Sequence, residues 1–268
     1  MFSWNSDARL RGWKQRKALS RLWAAAAFTG TQMVNTMPDS DAVVLLSGGI
    51  DSSVLLHLIR KDTARVAALC IRYGQRHAKE LECARRQAEA ANVAALTVLD
   101  LSELGSFLKN ASTLIQNGAP VPRLEDIPDS MRGQPPTYVP NRNMMLLAIA
   151  AAYAESLGAT TVYYGAQAQD EYGYWDCTAA FLKNMNDALA LNRKKRITVE
   201  APLLHNSKAE NVRLGLDLGV DFSNTWSCYR GDPTACGVCP TCVERLKAFE
   251  TIGRKDPVPY AHMVEKDD

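Results

Sequence analysis

Two stretches of this chain place chemically capable residues at short, defined spacings. The first is Ser47-Gly48-Gly49-Ile50-Asp51-Ser52-Ser53, directly behind the apolar run Ala42–Leu46. Glycines let the backbone approach an anion and take positive φ, and the free N–H groups at the start of a following helix favour negative charge. Ser47, Ser52 and Ser53 add hydroxyl donors. The stretch reads as a phosphate-binding turn, yet it lacks the lysine of G-x-x-x-x-G-K-[ST]. That lysine reaches the β- and γ-phosphates. Its absence suits a grip on a pyrophosphate that departs intact while AMP passes to a substrate. Asp51 would repel bare phosphate, so it reads as a helix cap or a Mg²⁺ contact.

The second stretch is Cys228, Cys236, Cys239 and Cys242, spaced C-x7-C-x2-C-x2-C. Four thiolates match tetrahedral zinc, and an all-cysteine set leaves no open position, which is the pattern of a structural site. An iron–sulfur cluster and disulfides are the alternatives, although the ferredoxin pattern's fourth Cys and following Pro are missing. Pro240 suits the first position of a helix over residues 240–250, whose positive end would face the anionic cluster. The remaining three cysteines, Cys70, Cys83 and Cys177, read as packing residues, and the odd total of seven points to a reducing compartment.

The elements that must position these residues alternate. Ala42–Leu46, Arg65–Ile71, Leu96–Leu99, Thr160–Gly165 and Ile197–Ala201 read as strands. Asp51–Arg60, His77–Asn92, Asn141–Leu157 and Thr178–Leu191 read as helices. Ser207-Lys208-Ala209-Glu210 is a capping box for a further helix ending near Gly219. Prolines and glycines leave residues 102–140 without a regular element. Such alternation predicts an α/β, doubly wound parallel sheet. Ligands of such sheets bind beyond the carboxyl ends of the strands, which brings 47–53, 71–77 and 165–176 to one edge.

With 268 residues, 47% apolar and 22% charged, the chain is ordinary for a globular protein, and a net charge of +2 offers little footprint for nucleic acid. No segment reaches the roughly 18–20 apolar residues that cross a bilayer. Residues 1–37 are basic and then briefly apolar. They read as a poorly ordered arm, or as a start placed too early given Met33 and Met37, rather than as a leader. The expected division is 1–37 arm, 38–222 nucleotide-binding α/β domain and 223–268 cysteine region.

The Ser47–Ser52 string resembles the signature of the PP-loop ATP pyrophosphatases, of the adenine nucleotide alpha hydrolase-like, Rossmann-like fold. Joined with "YGQRHAKELECA" at 73–84, "YVPNRNMMLLAIAAAYAE" at 138–155, "APLLHNSKAENVRLGLDLGV" at 201–220, "TWSCY" at 225–229 and the four cysteines, it closely resembles the 7-cyano-7-deazaguanine synthase (QueC) family from about Ala42 to Phe249. The resemblance implies an ATP-dependent ligase that adenylates 7-carboxy-7-deazaguanine, adds ammonia to give the amide, and dehydrates the amide to the nitrile for queuosine synthesis. It also implies a cytoplasmic homodimer using ATP, Mg²⁺ and Zn²⁺. Carried over, Leu46, Ser47, Gly48, Gly49, Ile50, Asp51, Ser52, Ser53, Val54, Leu55 and Leu56 hold ATP. Arg76, His77 and Arg142 touch phosphate or base, Lys208 neutralises phosphate, and Ser47, Asp51, Ser52 and Lys208 carry the chemistry.

One stretch departs from the family. At 165–181 the usual G-Y-P-D-C-R pattern becomes Gly173-Tyr174-Trp175-Asp176-Cys177-Thr178, with Ala179-Ala180 where an acid is expected. Loss of an Arg and a carboxylate near the base pocket raises the alternative of an enzyme that stops at the amide or joins the deazaguanine to another amine. A tRNA-thiolation enzyme of the same superfamily and a zinc-ribbon binding module on an inactive core are further alternatives.

Overall fold

The computed structural model describes residues 40–261, apart from 77, 132 and 169–172 and the side chain of Ala78. The arm at 1–37 and the His77 assignment therefore lie outside the described residues. Among those described, five strands form one parallel sheet: β1 (Ala42–Leu45), β2 (Val66–Arg72), β3 (Ala95–Asp100), β4 (Thr161–Tyr163) and β5 (Thr198–Glu200). Their order is β3-β2-β1-β4-β5, and β1 pairs with β2 and β4 on its two sides, Val43 facing Ala67 and Val162. No helix among the described residues is long and apolar enough to cross a membrane.

Period-two alternation sorts the strand side chains onto two cores. Ala42 and Val44 of β1 and Val66, Ala68 and Cys70 of β2 face one side. There they meet α1 (Ile50–Asp62), α2 (Ala78–Ala90), α6 (Lys208–Asp217) and α7 (Pro240–Thr251) through Val54, Leu55, Ala84, Val212 and Phe249. Val43, Ala67 and Leu69 face the other side, against Leu147, Ala150 and Ala154 of α4 (Arg142–Ser156) and Phe181 of α5 (Ala179–Leu189). Both faces are covered, which is why the strands read as apolar runs rather than alternating ones. Phe249 of α7, beyond the cysteines, belongs to the same core as β1.

The long irregular stretch holds one exception to the expectation for 102–140. A short helix, α3 (Leu104–Leu108), forms before the first proline, and single 3₁₀ turns lie at Leu124–Asp126 and Asp129–Met131. Proline restricts its own neighbourhood and leaves the residues upstream free to coil. The capping box at Ser207–Glu210 forms as predicted, and Gly219 takes φ +76° just past the end of α6, closing that helix in the left-handed conformation.

The chain between α6 and α7 is tied down by a buried ion pair. Arg245 and Asp256 are 2% and 7% exposed. Arg245 donates to Asp256 at 2.6 and 2.9 Å, and also to the Phe222 carbonyl and Thr225 Oγ1. Tyr260 and the Val258 N–H donate to the same carboxylate. Removing one member strands a buried charge, so Asp256→Ala is expected to cost about 3–5 kcal/mol, read as a lower urea midpoint. Replacing the pair together as Arg245→Met with Asp256→Leu should recover part of that loss.

Candidate active site

The loop after β1 delivers the chain to the N-terminus of α1 at the point where neighbouring strands run away on both sides, β2 to one and β4 to the other. Gly48 takes φ +88°, and a Cβ there would sit 2.1 Å from the Glu80 carbonyl oxygen, so only glycine fits. Gly49 is the N-cap of α1, and no side chain among the described residues caps the helix. Its first N–H groups have no intrahelical acceptor. Ser47 and Ser52 share a hydrogen bond between hydroxyls at 2.9 Å, the Ser47 N–H donates to Ser52 Oγ at 3.2 Å, and the Gly49 N–H donates to Ser47 Oγ. The turn thus presents two hydroxyls and an open helix end on one side.

Asp51 is not the cap. It stands in the first turn of α1, and its carboxylate is held by Lys208 Nζ at 2.5 Å and by Asn211 Nδ2 at 2.9 Å. Lys208 also lies 3.6 Å from Glu244 of α7, which in turn accepts from Gln167. Three helices thereby meet at one ammonium. Lys208 supplies, from a helix about 160 residues on, the cation that the loop itself lacks.

These groups line one side of a cavity of about 1000 Å³. Leu46, Ser47, Gly49, Ile50, Asp51 and Ser52 line it, as do Arg76, Arg142 and Lys208. Val54, Leu55, Leu56 and Ser53 do not: each is fully buried, the first three in the core beneath the sheet. They support the helix rather than touch a ligand, because a helix presents only its first turn to the loop's ligand. Gly48 likewise faces α2, and its carbonyl accepts from the Trp226 N–H at 2.9 Å. Arg76 lines the cavity and is also tied to the long loop. Its guanidinium donates to the carbonyls of Thr113, Gly118 and Ala119, which fastens the long loop beside the cavity. Arg142 opens α4 after Asn141 at φ +53° and lines the cavity.

Several lining residues had no clear sequence signal. Tyr229 follows a cysteine and Glu244 sits in an ordinary helix. Glu80 could have been found as an acid in the first turn of the helix that follows β2. Burial pushes its carboxyl up to about 8, against the pull of Arg142. The folded protein therefore keeps a proton that the unfolded chain releases near 4.5, and Glu80 lowers stability as pH rises between those values.

The divergent loop divides in two. Gly173, Tyr174 and Cys177 line the cavity, while Trp175, Thr178 and Ala180 do not. Thr178 caps α5, accepting from the Phe181 N–H at 3.1 Å. Trp175 is 43% exposed and donates to the Tyr138 hydroxyl. Asp176 is buried and accepts from the Asn143 N–H, so it anchors the start of α4.

Cys228, Cys236, Cys239 and Cys242 are buried, with their sulfur atoms within 4.8 Å of one another. Zn–S bonds near 2.3 Å place sulfurs about 3.8 Å apart in a tetrahedron, and Cys236 and Cys242 stand at 3.9 Å. Hydrogen bonding from Cys228 and then Cys242 draws the Cys239 thiol strongly down. All seven cysteines are free of disulfides. Cys239 is the N-cap of α7 and Pro240 its first residue, as the spacing predicts.

Comparison with known proteins follows the same span. Residues 41–253 match the family model described as queuosine biosynthesis protein QueC. The chain is 40% identical over 225 residues to a 7-cyano-7-deazaguanine synthase of Clostridium kluyveri, covering 82% of this chain and 97% of the relative. It is 43% identical over 219 residues to one of Hahella chejuensis, covering 82% and 92%. A solved NMN synthetase from Francisella tularensis aligns at 17% identity with a TM-score of 0.47, covering 82% and 80%; at that distance the likeness decides nothing.

Two substitutions check this geometry. Cys239→Ser should lose bound metal in elemental analysis and lower the melting temperature; a wild-type chain holding less than about half an equivalent of zinc would remove the four-cysteine site. Thr178→Arg removes a cap outside the cavity. It should cost about 1 kcal/mol of stability and leave the mass of the reaction product unchanged.

Proposed function

The chain belongs to the QueC family, and from that premise we propose that it is an ATP-dependent ligase converting 7-carboxy-7-deazaguanine and ammonia to 7-cyano-7-deazaguanine. A carboxylate is a poor electrophile because its leaving group would be oxide. Transfer of AMP to it supplies a stable leaving group. Ammonia then forms the amide, and a second activation at the amide oxygen allows dehydration to the nitrile. The observation that carries the reading is the meeting of the Ser47–Ser52 loop with Lys208 at the wall of one cavity.

In this reading the N-terminus of α1 and the Ser47 and Ser52 hydroxyls hold the pyrophosphate end of ATP. Lys208 exchanges part of its contact with Asp51 and Glu244 for phosphate oxygen, offsetting charge as the pyrophosphate departs. Asp51 and Glu244 present hard carboxylate oxygens, the donor type Mg²⁺ prefers, and the pair would hold a nucleotide-bound Mg²⁺ that further stabilises the leaving group. Arg142 orients the substrate carboxylate toward the α-phosphate. The apolar wall from Leu69 to Ile71 takes a flat base. Zn²⁺ on the four cysteines is structural. It holds the Thr225–Cys228 segment against the phosphate loop and takes no part in bond making. The working form is a cytoplasmic homodimer.

ATP–pyrophosphate exchange that depends on 7-carboxy-7-deazaguanine tests the reading. Exchange should appear in the unmodified protein. It should fall by about 100-fold or more in Ser47→Ala and in Lys208→Met, each losing a group that meets developing charge, while melting temperatures stay within a few degrees. Mass spectrometry of the product made with ammonium should show the nitrile. An accumulating amide, or a conjugate with another amine, would overturn the assignment.

A further inference from the structure

Glu80 is the acid in the cavity that the phosphate chemistry leaves unused. It stands in the first turn of α2, beyond the carboxyl end of β2, and lines the cavity. Its main chain packs directly against the phosphate loop at Gly48, so its carboxyl shares the reaction chamber with the loop. Among the described residues no hydrogen bond or ion pair holds that carboxyl. The charged and titratable groups around it are Arg142 from α4, Tyr73 from the turn after β2, Cys70 from β2 and Cys83 from its own helix. Arg76 and Tyr229 line the same cavity, but the Arg76 guanidinium is spent on loop carbonyls. His77, three residues earlier in the sequence, lies outside the described residues.

We propose that Glu80 is the proton acceptor for the nitrogen chemistry, taking protons from ammonia as it adds and from nitrogen as the nitrile forms. The inference rests on the ligase reading above. In the first step the ammonia lone pair makes the C–N bond, the C–O bond to AMP breaks with its electron pair leaving on AMP, and one N–H proton moves to Glu80. Adenylation of the amide oxygen releases one of the two N–H protons to water, and in the last step the nitrogen of the adenylated amide yields its remaining proton to Glu80. Those N–H electrons become the third C–N bond, and the C–O bond to AMP breaks. Between steps the proton returns to water through the cavity.

An ordinary carboxylate is a weak base for such protons. Burial strengthens this one into the range where general bases work best near neutral pH. The neighbouring Arg142 guanidinium keeps the ionised form accessible.

The test separates adenylation from nitrogen transfer in Glu80→Gln, with Glu80→Asp as a shorter base. Three rates are measured: carboxydeazaguanine-dependent exchange, amide formation from ammonia, and hydroxamate formation from hydroxylamine, whose nitrogen is less basic than that of ammonia and, once added, sheds its proton to water without a strong base. In Glu80→Gln the ratio of amide formation to exchange should fall by about 100-fold or more, with hydroxylamine restoring most of the transfer, and Glu80→Asp should lie between. At constant free ammonia the ratio in the unmodified protein should rise about tenfold per pH unit below about 8 and level above it; in Glu80→Gln it should be flat. An unchanged ratio, a flat profile in the unmodified protein, or equal losses of exchange, amide and hydroxamate would each overturn the assignment. No exchange in the unmodified protein would instead overturn the ligase reading, and this inference with it.

Discussion

A backbone hydrogen bond from Trp226 to the Gly48 carbonyl, at 2.9 Å, joins the phosphate loop to the C-terminal third of the chain. The loop needs such a latch. Gly48 is in the left-handed region, and glycine loses more conformational freedom on ordering than any other residue. Trp226 is 2% exposed, donates its indole N–H to the Cys228 carbonyl, and has the Lys79 ammonium 4.0 Å from its ring centroid. On one side of it the chain enters the four-cysteine cluster. On the other, Thr225 and Phe222 accept from Arg245. The loop is therefore braced by a segment that is itself fixed at both ends.

Electrostatics follows the same plan. The loop at residues 47–53 carries no positive side chain of its own. The fold brings one from α6, whose capping box fixes the first residue, Lys208, against Asp51. Glu244 ties the same ammonium to α7. The arrangement keeps a lysine neutralised by two carboxylates at the wall of the cavity. A Walker lysine, by contrast, is part of its own loop.

The divergent loop shows how substitution and site can be neighbours in sequence yet separate in space. Residues 173, 174 and 177 line the cavity, while 175, 178 and 180 lie outside it, because the 3₁₀ turn at Trp175–Cys177 carries Cys177 inward and leads into the cap of α5 at Thr178. Threonine serves as that cap, so the position keeps a structural task without the charge the family usually places there.

The amino-acid order alone determined the alternating α/β plan, the phosphate turn, the capping box at Ser207 and the cysteine set. Each depends on contacts within a few residues, or on a period-two pattern that burial on both sheet faces turns into apolar runs. It also placed helix and strand limits to within one or two residues. Tertiary structure alone decided which of residues 46–56 see the cavity and which lie in the core, because that depends on the direction α1 takes over the sheet. It tied Arg76 to the carbonyls of the long loop, and it paired Lys208 with both Asp51 and Glu244. It also put Glu80 in a pocket that alters its acidity. Those outcomes join residues far apart in the chain, and no local pattern encodes which distant side chain will arrive at a given wall.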